Sequence, residues 1–153
     1  MKNDGKSITI LMADDDQDDC LLVKDAFKES RLRNDLRFVE NGEELMDYLY
    51  HHGKYKDLGS SPRPELILLD LNMPKKDGRE ALREIKSDPD LHVIPVVVLT
   101  TSKEEEDVLR SYDVGANSYV TKPVTFRGLV EVMKSLGKYW LEIVELPEGR
   151  KEE

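Results

Sequence analysis

The sequence predicts an α/β fold: an open, doubly wound parallel sheet of five strands, a (βα)5 arrangement with helices on both faces and three layers in all. Apolar, β-branched runs alternate along the chain with segments of helical period, which is typical of strands joined by crossover helices. The apolar runs are nearly continuous, which indicates burial on both faces of a parallel sheet. The length of 153 residues suits one such domain.

Each predicted strand is a short apolar run bounded by polar or turn-forming residues. The clearest are ITILMA, which opens the series, ELILLDL near the middle and IPVVVLTT after it. Parallel neighbours need a crossover connection, so a helix is expected between successive strands. The five strands are predicted at residues 8–13, 36–39, 65–71, 94–101 and 117–121.

Apolar residues at helical spacing predict the first three helices. They are Leu22, Val23, Ala26 and Phe27, then Leu45, Met46, Leu49 and Tyr50, then Ala81, Leu82 and Ile85. The spacing of Asp77 and Glu80 is that of a capping box at the start of the third helix. Ser102 and Glu105 have the same spacing at the start of a fourth, and Gly115 lies where that helix is expected to end.

The last helix is predicted to open at Thr125 and to be extended, because helical spacing of apolar residues continues almost to Pro147. Those apolar positions are Phe126, Leu129, Val130, Met133, Leu136, Trp140, Ile143 and Val144. We therefore expect one domain over residues 6–146, a charged tail over 147–153 and no second catalytic or DNA-reading module. Residues 51–64 are expected to form a loop.

Composition narrows the class of function. The formal net charge is −9 and the sequence pI is about 4.9, which opposes general binding to nucleic acid or to an anionic membrane and favours basic partners or metal cations. A single cysteine excludes an internal disulfide. Neither a signal peptide nor an 18-residue apolar span is present, so a cytoplasmic location is expected.

Polar side chains gather where the predicted strands end. They are Asp14 and Asp15 after the first strand, Asp70 at the end of the third, Thr100 at the end of the fourth and Lys122 after the fifth. In open α/β sheets, ligands bind outside the carboxyl ends of the strands. The sequence therefore predicts one site that combines three carboxylates, a hydroxyl and an ammonium group.

These groups suit a phosphoryl group and a hard cation. Clustered carboxylates provide oxygen ligands for a small divalent cation that keeps several waters, which points to Mg2+. The cation and the Lys122 ammonium favour an incoming phosphoryl group, and the Thr100 hydroxyl can donate a hydrogen bond to it. Asp70 is the predicted nucleophile, because carboxylates form acyl phosphates.

The chain resembles the response regulator receiver domains, the CheY-like family, over nearly its whole length. Any one motif of this resemblance is weak, but four in the family's order and spacing are highly specific. The motifs are the pair Asp14 and Asp15, LLDLNMPKKDG around Asp70, the run Thr100, Thr101 and Ser102, and Tyr119 with Lys122 and Pro123.

The resemblance implies a role for each matching residue. Asp70 is the phosphoacceptor, and Lys122 contacts the phosphoryl group. Asp15 and Asp70 bind Mg2+ directly together with the backbone carbonyl of Asn72, whereas Asp14 helps through water. Thr100 and Tyr119 match the switch pair, in which the threonine moves to the phosphoryl group and the aromatic ring turns inward behind it.

A narrower resemblance is to the single-domain regulators paired with cyanobacterial and bacterial phytochromes. It rests on the long loop before the third strand, on DLNMPKKDGREAL and PVVVLTTS, and on the terminal YWLEIVELP. In that group the extended last helix helps to build a homodimer. Trp140, Ile143 and Val144 are the residues here that match this role, although docking on their own domain is an equal alternative.

The implied function is a phosphorylation-activated switch in a two-component phosphorelay. A sensor histidine kinase, here a candidate bacteriophytochrome, or a phosphotransfer protein donates the phosphoryl group from a phosphohistidine. The chain itself is expected to catalyse only its own phosphorylation and dephosphorylation, so it is not an enzyme in the usual sense. Partners are proteins, including a second copy of the chain, and not nucleic acid or membrane.

Three other functions compete. A phosphatase of the haloacid dehalogenase type would use Asp14 as nucleophile and Asp16 as acid and base, but the chain has no aspartate beyond Lys122 to complete its Mg2+ site. A calcium loop counted from Asp14 has Asp19 where glycine is needed. An adaptor of receiver fold that is not phosphorylated stays open, although none of the expected acids, threonine or lysine is missing.

Overall fold

The computed structural model describes residues 8–29, 34–57, 61–71, 73, 75–100, 118–121 and 125–135. Five parallel strands form one sheet in the order β2-β1-β3-β4-β5. The strands are β1 Ile8–Ala13, β2 Asn34–Val39, β3 Leu66–Asp70, β4 Val96–Thr100 and β5 Ser118–Thr121. The order reverses between β1 and β3, so the predicted open, doubly wound parallel sheet is confirmed.

Two strand starts differ from the prediction by two residues. β2 begins at Asn34 rather than at residue 36, since Asn34 and Asp35 pair with β1 although neither is apolar. An edge strand tolerates polar residues that a central strand does not. β4 begins at Val96 rather than at residue 94, because Pro95 has no N–H and contributes only its carbonyl, which accepts from Ile67 N at 3.0 Å.

Helices cover both faces of this sheet. They are α1 Gln17–Glu29, α2 Gly42–Tyr50, α3 Gly78–Ser87 and a C-terminal helix Phe126–Ser135. α2 packs against α3, and α1 contacts the C-terminal helix. The predicted fourth helix and the predicted extension of the last helix beyond Ser135 lie outside the described residues.

Alternate residues of each central strand belong to different halves of the core. In β1, Leu11 and Ala13 pack in the cluster that contains the apolar residues of α2 and α3. Ile10 and Met12 pack in the opposite cluster, with apolar residues of α1 and the C-terminal helix. This two-sided burial is the physical reason for the continuous apolar runs of the sequence.

Side-chain caps fix where the helices begin. Asp77 accepts from Arg79 N at 2.6 Å at the start of α3, and Thr125 Oγ1 accepts from Gly128 N at 2.9 Å before the C-terminal helix. Both predicted starts are therefore confirmed. Asn41 caps α2 in the same way by accepting from Glu44 N at 2.8 Å, which the sequence reasoning missed.

The predicted loop at 51–64 is more ordered than expected. It contains a short 3-10 helix at Gly53–Tyr55, and the Tyr48 hydroxyl of α2 donates to the Pro62 carbonyl oxygen at 2.8 Å. The Tyr55 hydroxyl also donates to the Glu44 carboxylate. The described part of this segment is therefore attached to α2. No helix in the described part of the chain has the length and apolarity needed to cross a bilayer.

Candidate metal and phosphoryl site

Three carboxylates meet at the carboxyl edge of the sheet. β1 and β3 are hydrogen-bonded neighbours in which Ala13 pairs with Leu69. Asp14 and Asp15 follow β1 directly, and Asp70 is the last residue of β3. One carboxylate oxygen of each acid lies within 4.8 Å of the others. The predicted convergence of these three side chains is therefore present in the structure.

The three acids differ in exposure. Asp14 is 1% exposed and Asp70 is 4% exposed, whereas Asp15 faces solvent. Neighbouring buried carboxylates repel each other and lose hydration, so the arrangement is unfavourable unless hydrogen bonds or a cation offset the charge. The Asp16 N–H donates to Asp14 Oδ1 at 2.8 Å, which supplies one such hydrogen bond.

The other acids of the run DDDQDD lie at the start of α1. Asp16 Oδ1 accepts from the backbone N–H groups of Asp18 at 2.9 Å and Asp19 at 3.4 Å, so Asp16 caps α1. Asp18 and Asp19 lie in the first turn of that helix, where negative charge is favourable. The run DDDQDD is therefore divided between a cluster of possible ligands and a helix start.

A close backbone contact places Asp70. Gly78, the first residue of α3, donates its N–H to the Leu71 carbonyl oxygen at 3.1 Å. A Cβ atom at Gly78 would lie only 2.3 Å from the Asp70 carbonyl oxygen. Any residue other than glycine would therefore force the backbone to shift. The sequence reasoning missed this role, although the dipeptide Asp77-Gly78 was visible as a helix start.

The other predicted site residues are only partly described. Leu99 pairs with Asp70, so the backbone of Thr100 lies at the same edge of the sheet. Tyr119 of β5 pairs with Val98 of β4. The described residues do not include Asn72, Lys122, Trp140, Ile143 and Val144.

The donor set fits a hard divalent cation. All three groups are carboxylates, which such cations prefer, and two of them are buried at the end of adjacent strands. Asp14, Asp15 and Asp70 would hold the cation, which would offset their mutual repulsion and the charge of an arriving phosphoryl group.

The chain is similar in sequence to known receiver domains. The sequence model of the response regulator receiver domain matches residues 10–134. The response regulator Rcp1 of Synechocystis sp. is 46% identical over 138 residues, which cover 90% of this chain and 92% of that protein.

Two solved structures are similar over most of the fold. The phosphorylated cyanobacterial phytochrome response regulator RcpA has a TM-score of 0.75 and 43% identity, and the match covers 89% of this chain and 95% of that one. The Mn2+-bound form of Rcp1 has a TM-score of 0.75 and 45% identity, with 90% and 96% covered.

Proposed function

The chain belongs to the response regulator receiver family of two-component signalling proteins, and we propose that it is a switch driven by phosphorylation of Asp70. The observation that carries the proposal is the meeting of Asp14, Asp15 and Asp70 within 4.8 Å, with Asp70 buried at the end of a central strand. A carboxylate at this position is supported by rigid backbone and separated from bulk water.

The proposed reaction is transfer from a phosphohistidine of a sensor kinase. A carboxylate oxygen of Asp70 bonds to phosphorus while the bond from phosphorus to the imidazole nitrogen breaks, and the electron pair of that bond leaves with the imidazole. The product is an acyl phosphate on Asp70. Hydrolysis of this acyl phosphate by water returns the carboxylate and inorganic phosphate.

The proposed cation is Mg2+. Receiver domains bind a divalent metal, and Rcp1 has been solved with Mn2+. In this chain the proposed ligands are Asp15, Asp70 and the backbone carbonyl of Asn72, with Asp14 acting through water. Asp14 is buried, and its carboxylate accepts from Asp16 N at 2.8 Å, so this carboxylate has a fixed position from which to bind a water ligand of the cation.

The proposed switch pair is Thr100 and Tyr119, and Lys122 is the proposed phosphoryl contact. The strand register supports this assignment, since β4 and β5 end at the same edge as Asp70 and Thr100 pairs with Thr121. Lys122 contacts the phosphoryl group, and Thr100 and Tyr119 change position when it is present. A Lys122→Ala variant should then bind Mg2+ but should not couple phosphorylation to partner binding.

The proposed donor is a phytochrome-type sensor histidine kinase. Support comes from the similarity to RcpA, which is a phytochrome response regulator. We also propose a homodimer through Trp140, Ile143 and Val144, and a cytoplasmic location. Size-exclusion chromatography of Trp140→Ala and wild type, each with and without a phosphoryl analogue and Mg2+, tests the dimer.

The phosphatase alternative is less consistent with the site. It needs Asp16 as acid and base, whereas the Asp16 carboxylate accepts two backbone N–H groups at the start of α1. Donation of a proton from this side chain would compete with its capping role. A phosphate ester that is turned over many times by Asp70→Asn but not by Asp14→Asn would nevertheless favour this alternative.

The test is intact mass after incubation with a small-molecule phosphoryl donor and Mg2+. Wild type should gain one phosphoryl group, and Asp70→Asn should gain none. Asp16→Asn is the matched control, because it removes an acid beside the cluster while keeping a capping side chain, and it should be labelled like wild type. Labelling of Asp70→Asn equal to that of wild type would contradict the proposal.

A further inference from the structure

The start of α2 lies against the connection between β3 and α3. The Gly42 N–H donates to the Lys76 carbonyl oxygen at 3.0 Å. A Cβ atom at Gly42 would lie 2.0 Å from that oxygen, well inside contact distance. Any side chain at this buried position would therefore push the two backbones apart.

Lys76 is also attached to α3. Its Nζ pairs with Glu84 at 2.5 Å, and this hydrogen bond is the main cause that raises the pKa of Lys76. The next residue, Asp77, caps α3 through Arg79 N at 2.6 Å. The backbone from Lys76 to the first turn of α3 is thus held at both of its ends, so a displacement at Lys76 is passed on to the helix start.

The first turn of α3 also contacts the backbone of Asp70, the proposed phosphoacceptor. Gly78 approaches the backbone of Asp70 so closely that a Cβ would lie 2.3 Å from its carbonyl oxygen, and the Gly78 N–H bonds to Leu71. Two close backbone contacts in series therefore connect Gly42 on α2 with Asp70 on β3. Neither contact involves a side chain that could adjust.

We propose that Gly42 is a positioning residue for the acceptor site: by admitting the Lys76 carbonyl, it holds the first turn of α3 against the backbone of Asp70 and so sets the cation affinity of the site. This role rests on the proposed function, since it requires that the acid cluster binds a divalent cation. Gly42 touches neither the cation nor the phosphoryl group and acts through Lys76 and Gly78.

The first experiment compares Gly42→Ala with Asn41→Ala. Both changes weaken the start of α2, but the Asn41 side chain accepts from Glu44 N, within its own helix, whereas the hydrogen bond to Lys76 comes from Gly42. Isothermal titration with Mn2+ at a temperature where all proteins are folded should give a Kd about tenfold weaker for Gly42→Ala, the lower end of the loss that follows a change in a direct partner of a metal-ligating residue. Asn41→Ala should stay within about twofold of wild type, because it loses the α2 cap and keeps the hydrogen bond from Gly42 to Lys76.

A second measurement needs no variant and covers the case in which Gly42→Ala does not fold. Amide hydrogen exchange of the wild type is followed by NMR with and without Mg2+. The Gly42 N–H, bonded to Lys76, should exchange more slowly when Mg2+ is bound. The Glu44 N–H, which is bonded to the cap of the same helix, should not change.

The outcomes separate the two proposals. If wild type binds neither Mn2+ nor Mg2+, the proposed function is wrong and the positioning role falls with it. If wild type binds the cation but Gly42→Ala and Asn41→Ala have the same affinity, or if the Gly42 and Glu44 amides respond alike, only the positioning role is overturned.

Discussion

The ends of β1 and β3 provide the same kind of ligand by different physical means. At the end of β1, Asp14 and Asp15 belong to a run of acids in which backbone N–H groups and the helix start of α1 offset the charge. At the end of β3, Asp70 is a single acid whose place is set by the close approach of Gly78. The β1 end thus depends on charge and hydrogen bonds, and the β3 end on backbone packing. A change of charge should therefore act mainly at the first, and an added methyl group mainly at the second.

The largest effect is expected at the β3 end, from Gly78→Ala. In an ordinary helix this change stabilises by about 1 kcal/mol. Here the new Cβ would lie 2.3 Å from the Asp70 carbonyl oxygen, so we expect a loss of about 2 kcal/mol or more in the free energy of unfolding, together with loss of phosphorylation. Urea denaturation measures the first and intact mass the second.

Gly128→Ala is the matched control for this prediction. Gly128 is also helical, but the nearest atom to its Cβ would be the Thr125 Oγ1 at 3.1 Å, the side-chain oxygen that caps this helix, and not a backbone atom. Its effect on unfolding should stay within about 1 kcal/mol. Equal effects of the two substitutions would show that the approach of Gly78 to Asp70 has no special importance.

The next effect is expected at the β1 end, from Asp14→Asn. Mg2+ at about ten times its Kd should stabilise wild type by about 1.4 kcal/mol. Asp14→Asn removes one buried negative charge from the cluster, so it should raise stability without Mg2+ and lose most of the stabilisation by Mg2+. Thermal unfolding with EDTA and with Mg2+ measures both. A variant that Mg2+ stabilises as strongly as wild type would remove Asp14 from the site.

A smaller effect distinguishes the charge of Asp16 from its role as the cap of α1. Asp16→Ala should cost about 1 kcal/mol of unfolding free energy through loss of the α1 cap, whereas Asp16→Asn should cost only a few tenths, because both Asp and Asn are good caps. Urea denaturation at pH 7 compares the two. A large loss in Asp16→Asn would indicate that the charge of Asp16, and not its cap, is what matters.

The smallest effect is a pH dependence of stability at Glu44, which lies in the first turn of α2 two residues after Gly42. Burial alone would raise the pKa of Glu44, but hydrogen bonds from Tyr55, from the Glu40 N–H and from Lys54 bring it below its ordinary value of 4.5. Because the folded pKa is the lower one, this stability is complete above about pH 4.5 and is lost as the pH falls through the folded value.

The Glu44→Gln variant tests this titration. The difference in stability between wild type and Glu44→Gln should be largest near neutral pH and should shrink below pH 4.5, as followed by urea denaturation across the acid range. A difference that grows on acidification would show that Glu44 is not stabilised in its charged form.

The β1 end was also the easier of the two to predict from sequence. A run of five acids after an apolar strand is visible without any structure, and the rule for open sheets placed Asp14, Asp15 and Asp70 at one edge. The roles of Gly42 and Gly78 were not predictable in this way. Each depends on the approach of a backbone segment that is folded from another part of the chain, and a lone glycine in a sequence does not indicate its neighbour.

In the fold, too, features set by local composition were predictable and features set by contacts between segments were not. Strands with continuous apolar runs were located to within one or two residues, because burial on both faces fixes their composition. The polar start of β2 was missed because it depends on an edge position. The attachment of the described part of residues 51–64 to α2 was missed because it depends on hydrogen bonds from the Tyr48 and Tyr55 hydroxyls. Assignments to Thr100, Tyr119 and Lys122 stay predictions.

The most direct measurement identifies the residue that carries the phosphoryl group. Protein phosphorylated with Mg2+ and a small-molecule donor is treated with borohydride, which reduces an aspartyl phosphate to homoserine, and the peptides are sequenced by mass spectrometry. We expect homoserine at position 70 and aspartate at positions 14, 15 and 16. Homoserine at position 14 with intact Asp70 would contradict it and would make Asp14 the nucleophile.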